Sequence, residues 1–173
     1  MKLLFFLRLL EVNVTPAKEF LVTIQEADFD IGRLQATLLA GAAAEGAVAT
    51  FTGYVRADKH AKDIQCIELE HYPGMTEKSI EGIMALAGQR WPLLAARVVH
   101  RVGKLYPGDQ IVWVGVSSAH RDAAFSACDF IMDYLKAEAP LWKKEFNAKG
   151  TQWVQAKQSD ATRAGRWSTG GLK

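Results

Sequence analysis

Apolar and polar positions along this chain fall into patterns that mark out most of its elements. Residues 64–72 alternate, with Ile67 and Leu69 facing one way and Glu68 and Glu70 the other, as in a half-buried strand. Residues 46–56 combine β-branched and aromatic side chains with glycine and predict another strand, and residues 20–25 a short one. Between Ile111 and Val116 both parities are apolar, so a strand over 110–117 is expected to be covered on both faces. A further strand over 97–104 leads into it through the turn residues Pro107, Gly108 and Asp109. Helical spacing shows in Ile80, Ile83, Met84 and Ala87, after a Pro73-Gly74 turn and before a stop at Pro92. It recurs in Phe125, Cys128, Ile131, Met132 and Leu135, the expected buried stripe of a long helix. That helix is expected to be capped by Ser117 or Ser118, to carry Asp122 in its first turn, and to stop at Pro140. An Ala- and Leu-rich helix is predicted over 31–44, a charged loop over 57–63, and a basic, Trp-containing segment after 140. Helices mixed with mostly antiparallel strands make an α+β domain.

Composition sharpens this picture. With 173 residues and 49% hydrophobic positions, the chain suits one core and not a disordered or fibrous segment. No repeat or low-complexity linker divides it. The net charge of +2 speaks against a nucleic-acid binder, but it is unevenly spread. Residues 136–173 carry eight basic and three acidic side chains, an excess of five, which leaves the preceding chain at −3. An anion-binding surface should draw on that last fifth. Cys66 and Cys128 are isolated, so they predict neither a zinc site nor a disulfide but small buried side chains in a reducing compartment. The opening MKLLFFLRLL is interrupted by Arg8 and has no small-residue cleavage site, so residues 1–19 read as an N-terminal extension of a cytoplasmic protein. It is too short to span a bilayer.

Most catalytic motifs are missing: there is no GxxxxGK loop, no GxGxxG and no HExxH. GVSSA at 115–119 approaches a nucleophile elbow around Ser117, with His60, His71, His100 and His120 as bases on paper. Helix capping by Ser117 and Ser118 accounts for it without catalysis. His120 and Arg121 open the long helix, where free N–H groups and the dipole favour a phosphate. Lys136 and Lys143 are seven apart, but Pro140 breaks the helix between them, so one sits at a helix end and the other on a segment folding back. Beside Trp142, a lysine of the Lys143-Lys144-Glu145 run is expected to be partly desolvated, with its pKa lowered. Arg56 enters the charged loop as a candidate anion clamp. Glu70 and His71 fall on opposite strand faces, which rejects a metal cluster with Cys66.

Several blocks together carry a resemblance. GAVATFTGYVR at 46–56, LEHYPGMTEK at 69–78, HRVG at 100–103, PGD at 107–109, VGVSSAHR at 114–121, FIMDYLK at 130–136 and APLWKKE at 139–145 resemble, in order, the molybdopterin synthase catalytic (large) subunit family. The likeness covers about residues 20–167, leaving 1–19 and a tail at 168–173 outside it. It implies an α/β hammerhead fold, a homodimer, and a heterotetramer with a small ubiquitin-like sulfur-carrier subunit ending in a Gly-Gly thiocarboxylate. It also implies sulfur transfer to cyclic pyranopterin monophosphate (precursor Z), building the dithiolene of molybdopterin, with no cofactor or metal. The family's two active-site lysines fall on Lys136 and Lys143. Its substrate-binding positions fall on Tyr54, Val55, Arg56, His120, Arg121, Lys144, Glu145 and Lys157.

Lys157 stands where the family often has Arg, which removes a bidentate contact to phosphate. Thr169-Gly170-Gly171 is like a carrier's terminus, but Leu172 and Lys173 follow it. Two other readings remain beside the leading one. One is a non-catalytic module for a ubiquitin-like partner; the other is a serine hydrolase built on Ser117.

Overall fold

The computed structural model describes residues 19–39, 43–57, 64–148, 150–155 and 158–168. In chain order the elements are β1 (Glu19–Gln25), α1 (Ile31–Ala36), β2 (Ala47–Tyr54), β3 (Cys66–His71), α2 (Met75–Arg90), β4 (Leu93–Arg101) and β5 (Gly103–Leu105). They continue with β6 (Gln110–Ser118), α3 (Arg121–Glu138), β7 (Leu141–Asn147), β8 (Gly150–Val154) and α4 (Gln158–Gly165). The strands form two four-stranded sheets, one ordered β1-β4-β6-β2 and the other β5-β3-β7-β8. All neighbours are antiparallel except β1 and β4. The architecture is α+β, as the patterning implied.

The first sheet is covered on both faces. Helices α2 and α3 pack on one side, where Ile80, Met84, Ile131 and Leu135 meet Val98, Val112, Val114 and Val116. On the other side Trp113, Val99 and Ala95 are covered by Phe29 and Leu38. Every residue of β6 from Val112 to Ser118 is buried, which is why both parities of this strand are apolar. A third, smaller cluster of Val55, Ile67, Leu69 and Leu105 holds the second sheet to the end of the first. Cys66 and Cys128 are both buried and unbonded, and burial pushes the Cys128 thiol up to about 12.

Several expectations need correction. Helix α1 stops at Ala36, where Asp30 caps its start and a turn follows, so the helix expected to continue to 44 does not. Apolar composition there serves the packing of Leu38 rather than a helical stripe. The strand expected over 97–104 begins earlier, at Leu93, and divides after Arg101. Gly103, at φ 78, adopts the left-handed backbone that turns the chain out of the first sheet into the second. Phe125, expected in the buried stripe of α3, is 67% exposed. The helix buries Ala124, Cys128, Ile131 and Leu135 instead, and Phe125 lies off that face. The segment after Pro140 holds two strands and a helix, because its apolar residues are spread over three short elements too brief to show a period.

Candidate active site

Helix α3 turns back along β6 and β2, and the candidate residues gather at its two ends. At its start His120 is the N-cap residue, in an extended conformation and making no side-chain cap. The N-cap position of α3 falls on His120 rather than on Ser117 or Ser118, because β6 runs on through both serines; Ser118 Oγ accepts only from the amide of that N-cap residue, at 3.4 Å. Ser117 Oγ accepts from the Ala95 amide at 3.1 Å, and Ser118 Oγ donates to the Pro92 carbonyl at 2.9 Å. Both are fully buried, so Ser117 has no route to act as a hydrolase nucleophile. Around the helix start, Gly46, Ala119, His120, Arg121 and Asp122 line an open pocket of about 430 Å³. Gly46 is required there: a Cβ would lie 2.1 Å from the Ala119 carbonyl oxygen. Arg121 is exposed and 3.5 Å from the Asp122 carboxylate.

The opposite end of the sheet holds the other candidates. Strand β2 pairs antiparallel with β6, Ala47 opposite Ser118 and Tyr54 opposite Gln110, so Tyr54 lies a full strand away from the pocket. Val55 is buried, donates to the Asp109 carbonyl at 2.8 Å and accepts from the Gly108 amide at 2.8 Å. This pins the backbone where the exposed Arg56 leaves the sheet. Lys136 stands in the last turn of α3, exposed. Beyond the extended Ala139 and Pro140, the chain enters β7, which pairs with β3. Strand β5 leaves the end of β4 at the same side, so the whole second sheet hangs from the Tyr54 end of the first.

Alternation then separates neighbours on β7. Lys143 pairs with Leu69 and Lys144 with Glu68, so the two side chains take opposite faces of the second sheet. Lys143 shares its face with Glu145 and forms an ion pair with it at 2.8 Å. Lys144 lies on the outer face, hydrogen-bonded to Glu70, 3.8 Å from Glu68, and 4.2 Å from the centre of the Trp153 ring. The Glu70 hydrogen bond, helped by the charges of Glu70 and Glu68, holds the Lys144 ammonium above the ordinary lysine range. A lowered pKa, expected for this lysine run, is therefore corrected at Lys144: its carboxylate neighbours outweigh desolvation.

The structure thus brings Tyr54, Val55, Arg56, Lys136, Lys143 and Glu145 to one end of the molecule and leaves His120 and Arg121 at the other. At a rise of 1.5 Å per residue, Arg121 and Lys136 are roughly 22 Å apart along α3. Lys157 lies outside the described residues, as do His60 and the Thr169-Gly170-Gly171 tail. Among the described residues no three His, Cys, Asp or Glu side chains gather as a metal site, and no helix is long and apolar enough to cross a membrane.

One polar centre escaped the sequence reading. Asp133, on the buried side of α3, accepts from Arg163 Nε at 3.0 Å, Arg166 Nε at 2.9 Å and Trp167 Nε1 at 2.9 Å. Its burial opposes ionisation, but these hydrogen bonds prevail and keep the carboxyl below its usual range. It clamps α4 onto α3, with Trp167 packed edge-on against Trp91 and Phe130. An acid between Met132 and Leu135 on an otherwise apolar stripe was the available signal.

Residues 24–138 match the family model described as MoaE protein. The molybdopterin synthase catalytic subunit of Ralstonia nicotianae is 55% identical over 146 residues, covering 84% of this chain and 83% of that one. Its namesake from Pseudomonas aeruginosa is 51% identical over 146 residues, 84% of this chain and 97% of that one. The solved molybdopterin biosynthesis MoaE protein of Burkholderia ambifaria superposes with a TM-score of 0.75 at 47% identity, covering 88% of this chain and 99% of that one. Kinship with catalytic subunits sets aside the non-catalytic binding module, as the burial of Ser117 sets aside the hydrolase. This chain belongs to the MoaE family, the catalytic subunits of molybdopterin synthase in molybdenum cofactor biosynthesis.

Proposed function

We propose that this chain transfers sulfur from the C-terminal thiocarboxylate of a small ubiquitin-like carrier subunit to cyclic pyranopterin monophosphate, building the dithiolene of molybdopterin. The observation that carries this reading is that Lys136, at the end of α3, and Lys143, on the returning β7, stand at the same end of the fold as the sheet edge from which Arg56 emerges. Donor tail and substrate are both anions, so fixed cations there stabilise the charge that develops as the thiocarboxylate sulfur attacks. Lys143, set by Glu145, and Lys136 serve as the proton-handling ammonium groups. Each donation forms a carbon–sulfur bond and breaks the substrate carbon–oxygen bond it replaces. The oxygen leaves on the opened phosphate or as water, with its proton from a lysine ammonium. The carrier is left linked through its terminal carbonyl to the new sulfur. Water cleaves that link and frees a carrier carboxylate. Two sulfurs need two loaded carriers in turn.

His120 and Arg121 hold pterin and phosphate at the start of α3, where backbone N–H groups and the helix dipole favour an anion. Because they lie a helix length from Lys136, a second copy of the chain supplies them, making a homodimer whose sites are shared; a carrier at each end completes a heterotetramer. Lys144, held by Glu68 and Glu70 on the sheet face opposite Lys143, is a further substrate-binding cation of β7. Lys157 adds a further cation to the phosphate.

The test is reconstitution: the chain, a thiocarboxylated carrier and cyclic pyranopterin monophosphate, with the dithiolene product measured. Product is expected from the wild-type chain and none above background from Lys136→Ala. Full turnover by Lys136→Ala would overturn the reading.

A further inference from the structure

Strands β3 and β7 pair down to His71 opposite Leu141, and the next rung would join Tyr72 to Pro140. That rung is made through a side chain. The Tyr72 amide donates to Thr76 Oγ at 3.0 Å, and Thr76 Oγ donates to the Pro140 carbonyl at 3.0 Å. The hydroxyl thus bridges the two backbone groups. Thr76 is fully buried, so no solvent competes for either contact. Capping of α2 does not account for it: the Gly74 amide at the helix start is already taken by Glu77 Oε2 at 2.7 Å.

Pro140 is the corner between the two candidate lysines, four residues after Lys136 and three before Lys143. With α3 ending at Glu138 and β7 starting at Leu141, the direction of that corner fixes where one ammonium stands relative to the other. Proline cannot donate from its own nitrogen, so its carbonyl is the corner's remaining backbone handle. We propose that Thr76 is a positioning residue for the Lys136–Lys143 pair, holding the Pro140 corner from the first turn of α2. The inference rests on the catalytic reading of the two lysines. Thr76, fully buried, acts through the angle between α3 and β7.

The experiment compares Thr76→Val, Thr76→Ala and Thr76→Ser with the wild-type chain in the carrier-dependent assay, well below each variant's Tm. Misplacing a catalytic group by about 1 Å costs up to about 100-fold, so the two hydroxyl-free variants are expected to lose about tenfold or more in kcat. KM for the thiocarboxylated carrier and for the pyranopterin should stay within about twofold, since binding groups are untouched. Thr76→Ser restores the hydroxyl and is expected to recover most of kcat. Thr76→Ala and Thr76→Ser form the decisive pair if the valine variant does not fold, because they differ only in that oxygen. Wild-type kcat in Thr76→Ala, or equal losses in the alanine and serine variants, would overturn the inference. Lys136→Ala and Lys143→Ala run alongside: if both turn over normally the catalytic reading has failed, whereas inactive lysine variants with an active Thr76→Ala show that only the positioning role has.

Discussion

Arg121 and Lys136 stand at opposite ends of one helix, α3, about 22 Å apart along its axis. One small substrate cannot touch both within a single chain, so a shared site across a two-fold dimer has a direct consequence. Chains carrying Arg121→Ala alone or Lys136→Ala alone should be inactive. Refolded or co-expressed together, they should recover about a quarter of wild-type turnover, since half of the dimers are mixed and each holds one intact site. Absence of recovery, with mixed dimers shown to form, would place both residues in separate roles.

Lys143 and Lys144 should differ sharply although they are adjacent. Lys143 faces inward with Glu145, while Lys144 is held on the outer face by Glu68, Glu70 and Trp153. Lys143→Ala is expected to lower kcat by about 100-fold or more, the usual loss when a preorganised charge is removed. Lys144→Ala should cost less than about tenfold, chiefly in KM. Steady-state kinetics of the two variants checks the order, and equal losses would contradict it.

Asp133→Asn removes the charge that gathers Arg163, Arg166 and Trp167. Charge-assisted hydrogen bonds of this kind are worth about 2 kcal/mol or more, so denaturant unfolding should register a loss of that size. The folded carboxyl titrates below its ordinary 3.8, so its contribution is complete above that value and is lost as pH falls through the lower folded one. Wild-type Trp167 fluorescence should therefore report release of α4 only in strong acid, and the Asn variant should show the loosened signal already at neutral pH.

His100 supplies a second pH effect of the same sign, set at higher pH. Burial lowers its pKa from 6.5 to about 4, and its neutral ring keeps a proton on Nδ1 for the Arg101 carbonyl at 2.8 Å. The unfolded chain binds the proton first, so stability falls as pH drops from 6.5 towards 4, by about 3 kcal/mol in all. His100→Asn keeps a donor for Arg101 but does not titrate. Its unfolding free energy should be flatter over that interval than the wild type's, and parallel curves would refute the assignment.

Much of the fold was legible because burial imposes period on sequence. The double-faced apolar run of β6, the alternation of β3 and the stripe of α2 each report a local geometry that no distant residue alters. Elements too short to show a period were not legible: α1 stops after six residues, and β7, β8 and α4 crowd into the basic segment. Ser117 and Ser118 illustrate another limit. Their position before a helix suggests caps, yet the strand continues through them, and their shortest side-chain hydrogen bonds go to backbone groups 22 and 26 residues away.

For the site, the sequence by itself singled out the residues proposed to carry chemistry: the cations of the last fifth, the His120-Arg121 pair, Arg56, and a proline that separates Lys136 from Lys143. It also sufficed to place the chain in its family. Only the tertiary structure decided which of these can act together. Strand alternation turned Lys144 away from Lys143, the antiparallel return of α3 put Arg121 far from Lys136, and a buried hydroxyl at Thr76 fixed the corner between the lysines. The reason is that residue type is local, whereas direction and distance depend on pairing register and helix length, which are set by packing between segments remote in the chain.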